Sequence, residues 1–144
     1  MSSRATRIAA LLLPLALAAA TTACGRESAF AQTLRNRSVH GTYVYAARGS
    51  TVSIPWAFDA KLVFDGHGAY VLDLHTNVKG EPDHDTDRGS YRVDGDRIYI
   101  RGDGKHDSEH ELRIAGDSVI ADLGWPGSTV LRLAGVPKPV FVKQ

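Results

Sequence analysis

A hairpin signature at residues 89–102 (GSYRVDGDRIYIRG) is the feature that most constrains how this chain folds. Apolar residues occupy alternate positions on both sides of Asp94-Gly95, which is the pattern of strands with one buried face. Asp-Gly favours the type I′ turn between two antiparallel strands, because both residue types tolerate a positive φ. The same pattern recurs at 61–74 and 111–123, so the sequence predicts a succession of hairpins.

Eight short strands are predicted from this alternation, and no segment between them has the helical periodicity of a long crossover. They are expected at 41–47, 58–64, 69–76, 89–93, 97–101, 109–114, 118–123 and 129–134, with an extended piece at 139–143 that closes the edge. The predicted fold class is all-β, an antiparallel up-and-down meander that closes into a small barrel of about eight strands, because closure removes exposed strand edges. A two-sheet β-sandwich is the alternative.

The inward positions of these strands define the predicted core. It is formed by Tyr43, Tyr45, Leu62, Phe64, Tyr70, Leu72, Leu74, Tyr91, Val93, Ile98, Ile100, Leu112, Ile114, Val119, Leu131 and Leu133. Five of these side chains are aromatic. Since a barrel of this size holds either its own side chains or one small ligand, the aromatic bulk favours a filled interior.

The N-terminus has the organisation of an export signal. Arg4 and Arg7 precede an apolar run at 8–20. A helix of that length spans about 20 Å, whereas crossing a bilayer takes roughly 20 residues. The segment therefore predicts a removable signal peptide rather than a transmembrane anchor. Ordinary cleavage near 18–20, which would leave Cys24 as a free thiol, is an alternative.

Residues 21–24 (TTAC) resemble the lipobox of bacterial lipoproteins, in which small residues precede a Cys that becomes the acylated first residue. Ala23 and Cys24 match this motif, and Thr21 stands where Leu is usual. The resemblance implies a lipoprotein signal peptide at 1–23 and lipidation of Cys24. Several acyl chains on one residue would exceed the two signals that stable membrane anchoring requires.

The same resemblance implies where the protein resides and how it is divided. The chain would be exported and anchored in the cell envelope, and Gly25 after the acylated residue implies the outer membrane, facing the periplasm. A lipidated tether is expected at 24–38, with one helical turn around 29–34, followed by a single domain at 39–144. Cys24 is the only Cys, so an intramolecular disulfide is excluded.

The charge balance of the mature chain excludes some partners. Beyond residue 23 the sequence has 15 basic and 16 acidic residues, with His taken as neutral. A nearly neutral domain has no electrostatic footprint for nucleic acid and no polybasic patch for a membrane surface. Membrane association is therefore expected through the lipid on Cys24.

Three stretches resemble small bacterial lipocalin-like domains: 41–43 (GTY), 62–70 (LVFDGHGAY) and 89–96 (GSYRVDGD). Those domains share a Gly-x-Trp opening strand, a hairpin with an Asp-Gly turn and a later Gly-x-Tyr-x-Val hairpin. Tyr43 stands here for the Trp. The resemblance covers about 41–133 and implies a lipocalin-like barrel.

In such a barrel the loop after the first strand covers the open mouth. Segment 50–58 (STVSIPWAF) is expected to be that loop, because its Pro55 disfavours regular pairing in a central strand. A small apolar ligand would contact the candidate binding residues Tyr43, Trp56, Phe58, Tyr70 and Tyr91. The alternative is that the loop is a hydrophobic plug over an ordinary core.

Histidines in two predicted loops suggest a second kind of site. His84 lies in the acidic segment 80–88, and His106 and His110 lie in segment 103–111. Side chains of these three residues, brought together at one barrel end, would offer imidazole ligands to zinc or copper. Charged residues in solvated loops are the simpler interpretation, since EF-hand spacing and paired Cys ligands are absent from the sequence.

The sequence contains no nucleophile elbow and no phosphate-binding loop. We therefore expect a non-catalytic protein without a required cofactor. Three functional classes remain open: an envelope lipoprotein whose barrel binds a small apolar ligand or presents a binding surface, a zinc- or copper-binding envelope lipoprotein, and a protein-interaction or inhibitor module of the envelope.

Overall fold

The computed structural model describes residues 28–104, 108–121 and 138–144 of the chain. Within them the chain forms one helix followed by eight strands. These elements are α1 (Ala29–Ser38), β1 (Gly41–Thr51), β2 (Ile54–Phe64), β3 (Ala69–Val78), β4 (Glu81–Asp94), β5 (Arg97–Gly102), β6 (Glu109–Ala115), β7 (Ser118–Ala121) and β8 (Val140–Lys143).

The described strands form a closed barrel in which each strand is antiparallel to the next along the chain. β8 pairs with β1 at Tyr43 and Val44 and completes the circle. The predicted all-β, up-and-down, lipocalin-like barrel is confirmed, and the two-sheet sandwich is excluded. The extended piece expected at 139–143 contains β8, whereas the strand expected at 129–134 lies outside the described residues.

The two ends of the barrel differ. α1 packs against one end, which we call the helix end and which also carries the turns at 65–68, 95–96 and 116–117. The opposite end carries the tight turns at 52–53 and 79–80, and we call it the hairpin end. These turns connect β1 to β2 and β3 to β4.

Side chains pack the inside of the barrel. Twelve predicted core residues are buried: Tyr43, Leu62, Phe64, Tyr70, Leu72, Leu74, Tyr91, Val93, Ile98, Ile100, Leu112 and Val119. Tyr45 and Ile114 are only partly buried against this core, and Leu131 and Leu133 lie outside the described residues. Further buried residues, absent from the predicted set, are Val39, Phe58, Ala60, Ala121 and Phe141.

The β4–β5 hairpin forms as predicted, but its loop is shifted by one residue. Asp94 pairs with Arg97, so the two loop residues are Gly95 and Asp96. Gly95 has a φ of 59°, and Gly116 at the same position of the β6–β7 loop has a φ of 61°. A positive φ at the first loop position alone matches a type II′ turn, where Gly is favoured, rather than the expected type I′ turn.

Two segments expected to be loops are strands instead. Residues 50–58 continue β1 and β2 around a two-residue turn, and residues 80–88 supply the turn and first half of β4. Pro55 is the second residue of β2, where a missing N–H disturbs little of the pairing, and its carbonyl oxygen accepts a hydrogen bond from the Lys79 N–H at 3.0 Å. The polar residues 81–86 are tolerated because both faces of β4 are exposed there. In both segments, hydrogen-bonded pairing with neighbouring strands outweighs the preference of the local residues for a loop.

Residues 29–38, expected within a tether, form a ten-residue helix that belongs to the domain. The Ser28 hydroxyl caps its N-terminus by accepting a hydrogen bond from the Ala31 N–H at 3.2 Å. Gln32 and Asn36 then bind the end of β4, and Asn36 is buried. Ser28 is of a residue type that commonly caps helices, so the sequence did contain a signal for the start of this helix.

Replacing Val52-Ser53 by Asn-Gly is expected to raise the free energy of unfolding by about 1 kcal/mol. Both turn residues have a positive φ, 48° at Val52 and 66° at Ser53, which a β-branched residue adopts at a cost. Val52 is exposed, so no packing is lost. Urea unfolding measures the change. Val142→Asn is the control, because Val142 is exposed on an extended strand; an equal gain there would contradict the turn explanation.

Candidate binding site

At the hairpin end, strands β1–β4 continue past the closed part of the barrel. β4 pairs with β5 only from Gly89 to Asp94, whereas residues 81–88 pair with β3 alone among the described strands. β1 pairs with β8 through only two residues. The β1–β2 and β3–β4 hairpins therefore form a sheet extension, which we define as residues 46–59 and 74–88.

A groove of about 530 Å³ runs along this extension, and we call it the Trp56 groove. It is lined by Arg48, Gly49, Pro55, Trp56, Ala57, Asp59 and Asn77. Arg48 Nη2 lies 3.6 Å from Asp59 Oδ1, so the lining combines apolar surface with an exposed ion pair. The volume falls within the roughly 300–1,000 Å³ of small-molecule sites. Strand register, rather than any contiguous motif, brings these residues together.

Trp56 is the residue of this groove that the sequence analysis selected. It lies on β2 directly opposite Gly49, and its ring occupies the space left by the missing side chain. A Cβ atom at Gly49 would lie 2.6 Å from Cζ2 of the indole. The indole Nε1 is buried and has no hydrogen-bond acceptor among the described residues. Along β2 the side chain of Trp56 is in phase with the buried Phe58, so the indole packs against the core on the inner face of the sheet, opposite to the outward side chain of Asp59.

The other four aromatic candidates belong to the core. Phe58 is 1% exposed. Tyr43 and Tyr91 both pack on Phe64, with ring centroids 5.8 Å and 4.7 Å away. Tyr70 is also buried. Of the five candidates, Trp56 alone lines the groove, and the other four are buried in the core.

Tyr70 forms a buried polar contact near the base of the sheet extension. Its hydroxyl donates a hydrogen bond of 2.8 Å to Asp87 Oδ2. Burial raises the pKa of Tyr70, and the hydrogen bond to Asp87 and the negative charges of Asp87 and Asp103 raise it further. The hydroxyl therefore stays protonated at neutral pH and acts as a fixed donor rather than as a base.

Stability is expected to fall as pH rises above 10, because buried tyrosines resist ionisation in the folded state. Burial raises the pKa of Tyr91 from 10.0 to about 12. Between these two pKa values the Tyr91 hydroxyl loses its proton in the unfolded chain but keeps it in the folded chain, so a rise in pH favours unfolding. Below pH 10 the hydroxyl is protonated in both states, and its contribution to stability is fully present. Urea unfolding at successive pH values measures the slope. Tyr91→Phe should reduce that slope, and an unchanged slope would contradict this origin.

The structure does not bring together His84 and His110, the two candidate metal ligands that it describes. His84 lies on β4, where its ring stacks on that of His75 at a centroid distance of 4.2 Å. Alternation along the strands places His84 on the outer face, opposite to the buried residues of β4, and His110 on the inner face of β6. His106 lies outside the described residues. In the described part of the chain, no group of three or more His, Cys, Asp or Glu residues could hold a metal ion.

A second groove, of about 320 Å³, lies on the outer face of β4, β5 and β6. Its most prominent cation is Arg92, whose guanidinium stacks 4.0 Å from the Tyr99 ring centroid. The same guanidinium is 3.2 Å from Glu109 Oε1. The lining of this groove is mostly polar and includes a second cation, Arg101, so it offers less apolar surface to a ligand than the Trp56 groove.

The comparisons with known proteins add no relative: no protein-family model, curated protein or solved structure matches the chain. Within the described ranges, no helix is long and apolar enough to cross a membrane. Cys24, the predicted lipidation site, lies outside those ranges.

Three polar residues of the Trp56 groove were not selected from the sequence: Arg48, Asp59 and Asn77. Each is a common surface residue at an outward strand position, and they lie far apart along the chain. Only the register of β1, β2 and β3 brings them side by side. No pattern of neighbouring residues in the sequence predicts that these three side chains lie together.

Proposed function

We propose that the protein is a non-catalytic lipoprotein of the bacterial cell envelope, anchored through acylated Cys24, whose barrel binds a small, mostly apolar ligand in the Trp56 groove. The export signal and the lipobox-like residues 21–24 support the anchoring. The observation that carries the binding proposal is the groove itself, which has a volume of about 530 Å³ and combines apolar surface with the exposed ion pair of Arg48 and Asp59.

The chemistry of the groove limits what it accepts. Pro55, Trp56 and Ala57 offer an apolar wall, which suits a flat or aliphatic body. The ion pair of Arg48 and Asp59 lies at the surface, where water screens it, so a ligand group can replace either partner at little cost. The ligand is therefore expected to be a mostly apolar molecule that carries one charged or polar group for Arg48 or Asp59.

The two alternative classes receive less support. Zinc or copper binding would need ligands that converge, and His84 and His110 lie on opposite faces of the sheet. A protein partner pairing with the 81–88 edge of β4 would meet Pro82 and a run of acidic residues, which are features that oppose edge pairing.

The binding proposal is tested with 1-anilinonaphthalene-8-sulfonate, whose rings suit the apolar wall and whose sulfonate can pair with Arg48. Arg48→Ala removes this cation, so affinity should fall about tenfold, the effect of one lost hydrogen bond to a charged group. Arg97→Ala is the matched control, because Arg97 is an exposed arginine paired with Glu111 elsewhere on the barrel.

Mass spectrometry of the protein extracted from membranes tests the anchoring and the natural ligand together. The expected result is a chain that begins at Cys24, carries acyl chains and retains an additional small molecule. An unacylated N-terminus would contradict the lipoprotein proposal. A bare protein that also fails to bind the probe would contradict the ligand proposal and favour the protein-interaction class.

A further inference from the structure

The polar and apolar faces of helix α1 are exchanged relative to those of an ordinary surface helix. Its polar residues face the barrel: the Gln32 amide donates to the Val93 carbonyl at 3.1 Å, and Asn36 Oδ1 accepts from the Val93 N–H at 3.1 Å. Its large apolar residues face away, with Phe30 72% and Leu34 50% exposed. A helix on a water-facing surface normally has the opposite arrangement.

Phe30 and Leu34 form one continuous apolar surface. Residues four apart lie on the same side of a helix, one turn above the other. Arg37, three residues after Leu34, borders this side and is exposed. An apolar stripe with a cation at its border is the composition of a helix that lies in the interface of a membrane.

The position of α1 in the chain determines which surface is within reach. Ser28, the N-cap of the helix, is only four positions after Cys24 in the chain. Four residues of extended chain span at most about 14 Å. If Cys24 is acylated, its acyl chains are in the bilayer, so the N-terminal end of α1 is held within about 14 Å of the acylated residue.

We propose that the Phe30–Leu34 face of α1 lies in the lipid interface of the membrane that anchors the protein; this inference rests on the proposed acylation of Cys24. The acyl chains supply affinity, and α1 fixes orientation, since its buried polar face attaches it rigidly to β4. Arg37 is placed to meet anionic headgroups. The helix end of the barrel then faces the membrane, and the Trp56 groove at the hairpin end faces away from it.

Cysteine labelling tests this orientation in the full acylated protein, because Cys24 is the only native cysteine and acylation occupies its thiol. The Phe30→Cys and Val52→Cys variants each provide one reactive thiol, at opposite ends of the barrel. Val52 is 92% exposed, so it is a matched control at the hairpin end. Each variant is labelled with a nitrobenzoxadiazole fluorophore and reconstituted into vesicles of phosphatidylethanolamine and phosphatidylglycerol, with and without brominated acyl chains.

The label at position 30 is expected to shift its emission to shorter wavelength and to lose intensity in brominated vesicles, whereas the label at position 52 does neither. Equal behaviour at both positions would overturn the inference. A shift at position 30 without bromine quenching would also overturn it, because the residue would then face another protein or a second copy of this chain. Labelling of the unsubstituted protein would reveal a free Cys24 thiol, which identifies failure of the proposed acylation separately from failure of the docking.

Discussion

Gly89→Ala is expected to lower the free energy of unfolding by about 3 kcal/mol, at the upper end of the range for overpacked sites. Gly89 lies opposite Gly102 where β4 and β5 meet, and also opposite Tyr70 of β3. A Cβ atom there would press against the Arg101 carbonyl group and lie 2.8 Å from the Gly102 Cα. The obstacles are backbone atoms in paired strands, so no side chain can move aside to make room.

Urea unfolding of the Gly89→Ala variant measures this effect, and Gly104→Ala is the matched control. Among the described residues, nothing lies within 4 Å of a Cβ atom at Gly104, which has no positive φ. The control should stay within about 0.5 kcal/mol of the parent protein, as surface substitutions usually do. A Gly89→Ala protein as stable as this control would mean that β4 and β5 are further apart than described.

The closed part of the barrel could be predicted from the sequence because its signals are local. Residues 89–102 alternate between apolar and polar and contain an Asp-Gly turn signal, and each inward residue of that pattern is buried. The exact loop could not be predicted, since Asp94-Gly95 and Gly95-Asp96 are both favourable turn sequences. The strand pairing, which shifts the loop by one residue, depends on distant residues such as the Gly89–Gly102 pair.

The sheet extension could not be predicted, because its strands owe their conformation to their neighbours. Residues 81–86 are exposed on both faces and therefore show no apolar alternation, although their backbone pairs continuously with β3. Pro55 also suggested a loop, because its own chemistry disfavours a strand and does not show the pairing with the neighbouring strands. Trp56 was selected as part of a loop expected over the barrel mouth, whereas it lies in strand β2, and Arg48 and Asn77 gave no signal at all.

Asn36→Leu is expected to lower the free energy of unfolding by about 2 kcal/mol, the cost of leaving a buried donor unsatisfied. Asn36 Oδ1 accepts hydrogen bonds from the Val93 N–H at 3.1 Å and from Gln32 Nε2 at 3.0 Å. Its backbone oxygen also accepts from the Tyr91 hydroxyl at 3.0 Å, so the residue joins α1 to the core. Leucine has a similar volume but provides no acceptor.

The reverse exchange, Leu34→Asn, is the matched control on the outward face of the same helix. Leu34 is half exposed, so its loss should change stability in solution by about 0.5 kcal/mol or less. Urea unfolding and trypsin digestion distinguish the two variants, because trypsin cuts after Arg35 and Arg37 once α1 leaves the barrel. Faster cleavage of Asn36→Leu alone would establish that α1 is an integral part of the domain. Equal stability and equal cleavage of both variants would mean that α1 behaves as the tether expected from the sequence, and the rigid attachment that orients the barrel would be lost with it.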